Sequence, residues 1–470
     1  MAALSLADAP GHRAGDRIAL VHNMMQGEET WTFGQLDLRA RRWRMWLEGR
    51  GVKPDELVAF AFPNGPEFFA LSFGIYGAGA TPAPISHKLP EREREEILGV
   101  MQPAVFVTPA DAAALDAVEP ASGDAHVARS WKACTSGGST GRPKVIVDGR
   151  PAAFDEKMDF IGIPAEDVVL VPGPLYHNAP FSAAVFALWK GDTVVTMDRF
   201  DPERALALIE KRRVRWSMMV PTMMHRIFRI PPEARRAFDL SSWAMVVHTA
   251  APIAQWLKHG WIDWLGPDHI WEVYGATEGL ARCWIGGRDW LQRPGSAGLP
   301  TGGARLKILR ADGTECAAGE QGEIYAMPPG GPGSSYRYIG AERRATADGW
   351  ESVGDIGHVD EDGYLYLADR RNDLIISGGV NIWPAEVEAA ILAHPRIYSC
   401  AVLGAPDEDL GQRVHAVIET DDPTLDLSAL RAFLSDLLVA NKHPRSLVVT
   451  DKPVRDDAGK VRKAAHVPVS

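Results

Sequence analysis

The chain has 470 residues, 46% hydrophobic and 24% charged, too long and too apolar for one small module and suited to a large domain with a smaller companion. Its 50 Lys and Arg stand against 61 Asp and Glu, a formal net charge of −11. Coating of nucleic acid or anionic membrane by bulk positive charge is therefore excluded, and any phosphate must be met locally. Cys134, Cys283, Cys316 and Cys400 lie far apart without paired spacing, so neither a zinc site nor a disulfide framework is indicated and a reducing compartment is expected. Met1 to Asp16 lacks a basic segment followed by an apolar run and does not read as a secretory signal. Val168 to Trp189 carries no formal charge but is broken by Pro172, Pro174, His177, Asn178 and Pro180, a poor membrane span. A cytoplasmic protein is expected.

The first third alternates helix and strand signals, as in a parallel α/β sheet. Thr32 can cap a helix whose apolar positions are Leu36, Ala40, Trp43 and Leu47, with Gly49 and Gly51 to stop it. Leu57 to Phe62 reads as a buried strand, Asn64 as the cap of a second helix, and Thr81 to Ile85 as the next strand. Strands are also expected at 167–171, 192–197 and 216–220, with a helix around Pro202 to Lys211. Pro328 to Ser335 is rich in Pro, Gly and Ser and reads as a mobile surface loop. Asp362-Gly363 marks a hairpin turn before Tyr364. The last hundred or so residues form a separate small α+β unit, with Pro384 in the first turn of a helix. Strands 399–403 and 415–419 and a helix through Leu427 to Leu438 complete it.

The most informative segment is T-S-G-G-S-T-G-R-P-K, comprising Thr135, Ser136, Gly137, Gly138, Ser139, Thr140, Gly141, Arg142, Pro143 and Lys144. Its glycines let backbone N–H groups approach an anion, and its hydroxyls and Lys144 add donors where phosphate oxygens would lie. The spacing differs from the G-x-x-x-x-G-K-[ST] loop of nucleotide hydrolases. Gly137, Ser139 and Gly141 also satisfy G-x-S-x-G, the elbow of a serine hydrolase. That elbow needs a helix straight after the serine, whereas Pro143 forces Arg142 towards extended geometry and Val145 to Val147 reads as a strand.

Other segments follow in a specific order: P-L-Y-H at Pro174 to His177, V-P-T at Val220 to Thr222, A-A-P at Ala250 to Pro252, and Y-G-A-T-E at Tyr274 to Glu278. Then come G-E-x-G-E-I at Gly319 to Ile324, Gly354-Asp355, the stretch Arg370 to Pro384, and Gly459-Lys460. Across nearly the whole chain this pattern resembles the adenylate-forming superfamily of acyl-CoA synthetases, luciferases and nonribosomal adenylation domains. The resemblance implies an α/β fold, with a large ATP- and acyl-binding domain of parallel-rich sheets and helices over residues 1–371. A small mobile C-terminal α+β domain over 372–470 would carry the catalytic lysine. It implies ATP, Mg²⁺ and CoA as cofactors and a small carboxylic acid as substrate. No nucleic acid or integral membrane partner is implied, and a homodimer is left open.

By the same resemblance, the 135–144 loop holds phosphates. Tyr274, Gly275, Ala276 and the backbone of Ala250, Ala251 and Pro252 would flank adenine, and Thr277 would touch the α-phosphate. Glu278 would hold Mg²⁺, and Asp355 and Arg370 would meet the ribose. A carboxylate is a weak nucleophile and hydroxide a poor leaving group, so the acid would displace pyrophosphate from ATP and become acyl-AMP. Lys460 would bridge the carboxylate and α-phosphate as charge is redistributed, and Mg²⁺ and Lys144 would offset the rest. The acyl group would then pass to CoA through a tunnel lined by Gly378, Gly379 and Trp383. The family's pivot position is usually Asp or Lys, and Asn372 occupies it here. Asn tolerates unusual backbone angles, which keeps it the candidate hinge.

His177, Met223, Met224, Val247 and Gly275 are the candidates for the acyl wall, and methionines adapt to irregular apolar shapes. No aspartate stands beside P-L-Y-H-N-A-P-F to hold an α-amino group, which disfavours amino acids. H-T-A-A-P at His248 to Pro252 and W-I-D-W-L-G-P-D at Trp261 to Asp268 look like the bile-acid and steroid-acid CoA ligases. A bulky, polycyclic or terpenoid acid is therefore expected. An aromatic or medium-chain acid, an acyl-AMP ligase loading a carrier protein, a serine hydrolase using Ser139, and a nucleotide-binding protein without catalysis are the alternatives.

Overall fold

The computed structural model describes residues 4–137, 143–155, 158–370, 373–455, 459 and 461. Thr32 caps the helix Phe33–Gly49 through a reciprocal pair with Gln35, satisfying two N-terminal donors that the helix itself cannot. Its buried stripe, including Leu36, Ala40, Trp43 and Leu47, meets the helix Pro66–Gly77. Gly74 permits the close crossing, because a Cβ there would lie 2.4 Å from the Trp43 Cβ. Asn64 does not cap that second helix. Gly65 stands at the cap, while the Asn64 amide donates to the Gly173 and Met197 carbonyls and its oxygen accepts from the Leu175 N–H. The polar side chain is spent on stitching three distant segments rather than on a local turn.

The strand–helix–strand unit expected at the start forms, with Leu57–Phe60 parallel to both Thr81–Pro84 and Val105–Val107. Pro82 and Pro84 are tolerated because their strand lies at the edge. The principal sheet runs in the order Ile18–Met24, Thr193–Met197, Val168–Leu170, Trp216–Met219, Met245–His248 and Ile270–Gly275, all parallel. From Arg282–Gly286 onward its neighbours are antiparallel. The parallel strands end on one side in the segments that carry V-P-T, A-A-P and Y-G-A-T-E, which gathers those distant motifs along one rim. Asp362-Gly363 turns the hairpin between Asp355–Val359 and Leu365–Arg370 as expected, with Gly363 at φ 85°. The Pro328 to Ser335 loop is tied down. Gly149 N–H donates to the Ser335 carbonyl and Gly333 N–H to Glu351.

Residues 375–450 build a separate sheet, with Ile375–Ser377, Gly411–Glu419 and Ser399–Asp407 side by side and Ser446–Thr450 parallel to the Gly411–Glu419 strand. The helices Pro384–Ile391 and Leu427–Leu434 close its core around Ile375, Val387, Ile391, Val402 and Leu430. This unit sits on two helices of the large lobe, Pro221–Phe228 and Gln255–Leu265. Arg229 donates to the Pro395 and Ile397 carbonyls and lies over the Tyr398 ring, and the Trp256 indole donates to Ala389. Among the described residues no helix is long and apolar enough to cross a membrane.

One buried acid in the large lobe has its ionisation pushed up toward neutral pH. Asp192, just beyond the helix Asn178–Lys190, is fully buried. It accepts one bond, from the Asp167 N–H at 2.9 Å. Burial raises its pKa from 3.8 to about 7. Because the folded value exceeds the unfolded one, the associated stability is complete below about pH 4 and is lost as pH rises through about 7. Asp192→Asn is expected to flatten that slope, which urea denaturation at a series of pH values from 4 to 8 checks.

Candidate active site

Ala133–Gly137 and Pro143–Asp148 form an antiparallel pair with Ser136 opposite Lys144, so the Gly/Ser loop joins two strands. A strand after the loop is the geometry a serine-hydrolase elbow does not have. Gly138, Ser139, Thr140 and Gly141 fall outside the described residues. Beyond the loop, Lys144 turns back toward the Y-G-A-T-E segment. Its ammonium lies 3.1 Å from Glu278 and 2.8 Å from the Tyr338 hydroxyl, and Tyr338 donates to the same Glu278 oxygen at 2.5 Å. Burial and the Glu278 charge push the Tyr338 phenol far above its ordinary value, so it remains a proton donor. Tyr338 carries no sequence signal that singles it out. It arrives because Tyr336–Ile339 pairs with Pro143–Asp148, placing Tyr338 opposite Ile146.

The second cluster lies at the ends of two neighbouring strands. Tyr274 closes Ile270–Gly275, and its hydroxyl donates to Asp355 at 2.7 Å. Asp355 opens its own strand after Gly354, held at φ 90°, and stands opposite Arg370 in register. Ala250, in A-A-P, takes φ 77°, a left-handed backbone that costs a non-glycine residue about 1 kcal/mol or more and recurs at ligand sites. Gly275 keeps the turn tight, since a Cβ there would approach the Ala281 carbonyl to 3.3 Å. Ala276 and Thr277, half-buried, lead directly into the buried Glu278.

Behind these loops lies an ionic cluster that the sequence did not announce. Lys258, fully buried, bonds Glu272, whose carboxylate also lies 3.5 Å from His248 Nε2. Burial and the nearby Lys258 hold the His248 imidazole well below its ordinary value and therefore neutral. A third buried group, Lys132, donates to Asn178 and, at 2.8 Å, to Ser182. Asn178 begins the helix Asn178–Lys190, whose cap is His177. Lys132 thus fixes the backbone next to His177, and the His177 ring packs against Tyr176 with centroids 4.4 Å apart.

Of the acyl-wall candidates, Met223 and Met224 are packed in a core with Trp243 and Trp261, and Val247 is fully buried in its strand. Met223 reaches toward the P-G-P-L-Y-H segment, its methyl 3.9 Å from where a Gly173 Cβ would lie. Gly378 and Gly379 turn an exposed hairpin between Ile375–Ser377 and Val380–Ile382, and the half-buried Trp383 caps the following helix. Asn372 and Lys460 fall outside the described residues. Gly459 is described, and a Cβ on it would lie 3.4 Å from Thr222 Oγ1. Arg455 anchors this tail by pairing with Glu388 at 2.6 Å and donating to the Gly459 carbonyl at 2.8 Å.

The clusters match a requirement for magnesium nucleotide. Among the described residues no group of three or more His, Cys, Asp or Glu could hold a metal unaided. Mg²⁺ binds through one or two carboxylates together with substrate phosphates, and Glu278 beside Lys144 offers that arrangement. Fold and site together define an adenylate-forming enzyme. The chain matches the AMP-binding enzyme family over residues 7–135 and 132–333, and that family's C-terminal domain over 386–460; it belongs to this family. Feruloyl-CoA synthase of Amycolatopsis sp is 31% identical, with 92% of each chain covered. The 2-succinylbenzoate–CoA ligase of Bacillus licheniformis is 28% identical over 95% of this chain and 96% of its own. The o-succinylbenzoate CoA synthetase of Bacillus subtilis, solved with its acyl-adenylate intermediate, superposes with a TM-score of 0.81 at 25% identity, covering 97% of this chain and 96% of that one. The protein is an ATP-dependent, AMP-forming acid–thiol ligase, an acyl-CoA synthetase that works through acyl-AMP and uses ATP, Mg²⁺ and CoA.

Proposed function

We propose that the acid is a planar aromatic carboxylic acid with no further charge near the carboxylate, rather than a steroid-sized one. The observation that carries this is the packing of the residues that suggested bulk. His248 belongs to the buried Lys258 cluster, Trp261 is fully buried with its indole bonded to the Met224 carbonyl, and Met224 and Val247 are core. These motifs build scaffold and leave the acyl wall to His177, Met223 and Gly275. The relatives named for feruloyl and succinylbenzoyl acids agree with a flat ring.

In this reading the 135–144 loop and Lys144 would take the phosphates, and Glu278 would hold Mg²⁺. Tyr274, Ala250, Ala251 and Pro252 flank the base, Thr277 meets the α-phosphate, and Asp355 with Arg370 takes the ribose hydroxyls. Magnesium supplies charge neutralisation on the phosphates. Lys460 contributes the cation that stabilises charge shared between the acid and the α-phosphate. The lobes divide at 371/372, and the Gly378-Gly379 hairpin with Trp383 faces CoA after the small lobe turns. Cys134, Cys283, Cys316 and Cys400 form no disulfide, which suits a cytoplasmic setting.

Acid-dependent pyrophosphate exchange tests the substrate. Cinnamate-type acids are expected to support the fastest exchange, followed by decanoate and then cholate; exchange driven best by cholate defeats the aromatic reading. A second measurement addresses the hinge. Asn372→Pro, which removes backbone freedom at the pivot, is expected to slow one half-reaction at least tenfold while sparing the other, because gating motions and chemistry are separable. Equal loss in both, or in neither, places the pivot elsewhere.

A further inference from the structure

The helix Pro221–Phe228 starts at V-P-T, beside Gly459, and runs away from the site for about 12 Å at 1.5 Å per residue. At its far end lies a cavity of about 230 Å³ bounded by Phe228, Arg235, Gly260 and Trp264. Arg235 is only 6% exposed. Its guanidinium is held between two rings, 4.3 Å from the centre of Phe228 and 4.7 Å from that of Trp264. Its Nε and Nη1 are buried and have no hydrogen-bond partner among the described residues. The nearby charge acting on it is Arg236, a second cation, and among the described residues it makes no ion pair with an acid. Asp263 lies on the same wall, exposed to solvent.

A buried, unpaired guanidinium is costly, since cation–π contact supplies only part of what desolvation removes. Proteins that retain such a charge do so where a ligand completes it. A flat cation offers paired N–H donors to an oxyanion, and the flanking rings offer an apolar surface beside it. We propose that this cleft is a second ligand site, distinct from the adenylating centre, for a small organic oxyanion: a carboxylate on an aromatic or short apolar body. The carboxylate bonds two N–H groups along one edge of the Arg235 guanidinium, and the body lies against Phe228 and Trp264. Gly260 sets one wall of the cleft, because a Cβ there would lie 2.3 Å from Phe228 Cζ, so the ring keeps its place beside Arg235 only while 260 has no side chain.

Equilibrium dialysis of radiolabelled benzoate against the full-length enzyme tests the proposal. Arg235→Met, which keeps length and ring contact without charge, is expected to bind one equivalent fewer than wild type while keeping pyrophosphate exchange within twofold. It is also expected to melt no lower than wild type, since the charge it removes is uncompensated. Gly260→Ala, which keeps Arg235 and suits a helix, is expected to lose the same equivalent by pushing the Phe228 ring out of the cleft wall. Unchanged stoichiometry in both variants overturns the site. Displacement of the Arg235-dependent benzoate by an equal concentration of inorganic phosphate overturns the apolar body and leaves a bare phosphate site.

Discussion

Glu272→Ala is expected to destabilise the large lobe by about 3–5 kcal/mol, the usual consequence of stripping the partner from a buried ion pair. Lys258 has no exposed side-chain surface and bonds Glu272. The Trp290 ring, 4.8 Å from its ammonium, cannot replace a carboxylate. His248 offers no relief, because the same neighbourhood keeps it neutral. Guanidinium-chloride denaturation followed by tryptophan fluorescence measures the loss. The paired change Lys258→Met with Glu272→Leu removes both charges together and is expected to recover most of it. A shift below about 1 kcal/mol for Glu272→Ala would mean that the lysine reaches water or another acid. Because His248 and Glu272 stand side by side in parallel strands just before A-A-P and Y-G-A-T-E, the cluster holds the two following loops in register.

Lys460→Ala is expected to lower acid-dependent pyrophosphate exchange about 100- to 1,000-fold, the range found when one preorganised donor is withdrawn from developing charge. Thioester formation from supplied acyl-AMP should survive within a few-fold, because that step breaks an anhydride already made. The basis is the position of the preceding glycine against Thr222, at the head of the Pro221–Phe228 helix, together with the Arg455 anchor to Glu388. Retention of full exchange would remove Lys460 from the chemistry. Loss of both steps with a lowered melting temperature would indicate a folding role for the tail.

Short-range chemistry is the part of this fold that the order of amino acids makes legible. Thr32 with Gln35, the alternating strands and helices from Leu57 to Thr81, Asp362-Gly363 and Pro384 each act within a few residues, so their outcome is written beside them. Asn64 shows the limit. Its side chain is a good cap by type, yet carbonyls more than a hundred residues away compete for it successfully. Tyr338 shows the same thing from the opposite direction: it completes the Lys144 and Glu278 cluster through a strand pairing whose partners are far apart in sequence. Lys132, Lys258 and Arg235 read as ordinary surface cations, and only tertiary burial distinguishes them. The steroid-like motifs do not by themselves fix substrate size, because tryptophans and a histidine at regular spacing describe a helix packed on a sheet as well as they describe a pocket.

The knot of Lys144, Glu278 and Tyr338 has a bearing on discrimination among anions. At rest the loop's ammonium is already spoken for, so a bare dianion such as inorganic phosphate must evict a carboxylate and leave it stranded. On the proposed assignment, Glu278 would hold Mg²⁺ and Lys144 would meet the phosphates, so a magnesium-bound triphosphate would offer a partner to each of the two groups. On that assignment the pairing would favour the chelate over negative charge as such, and free ATP is expected to compete poorly even where it is abundant.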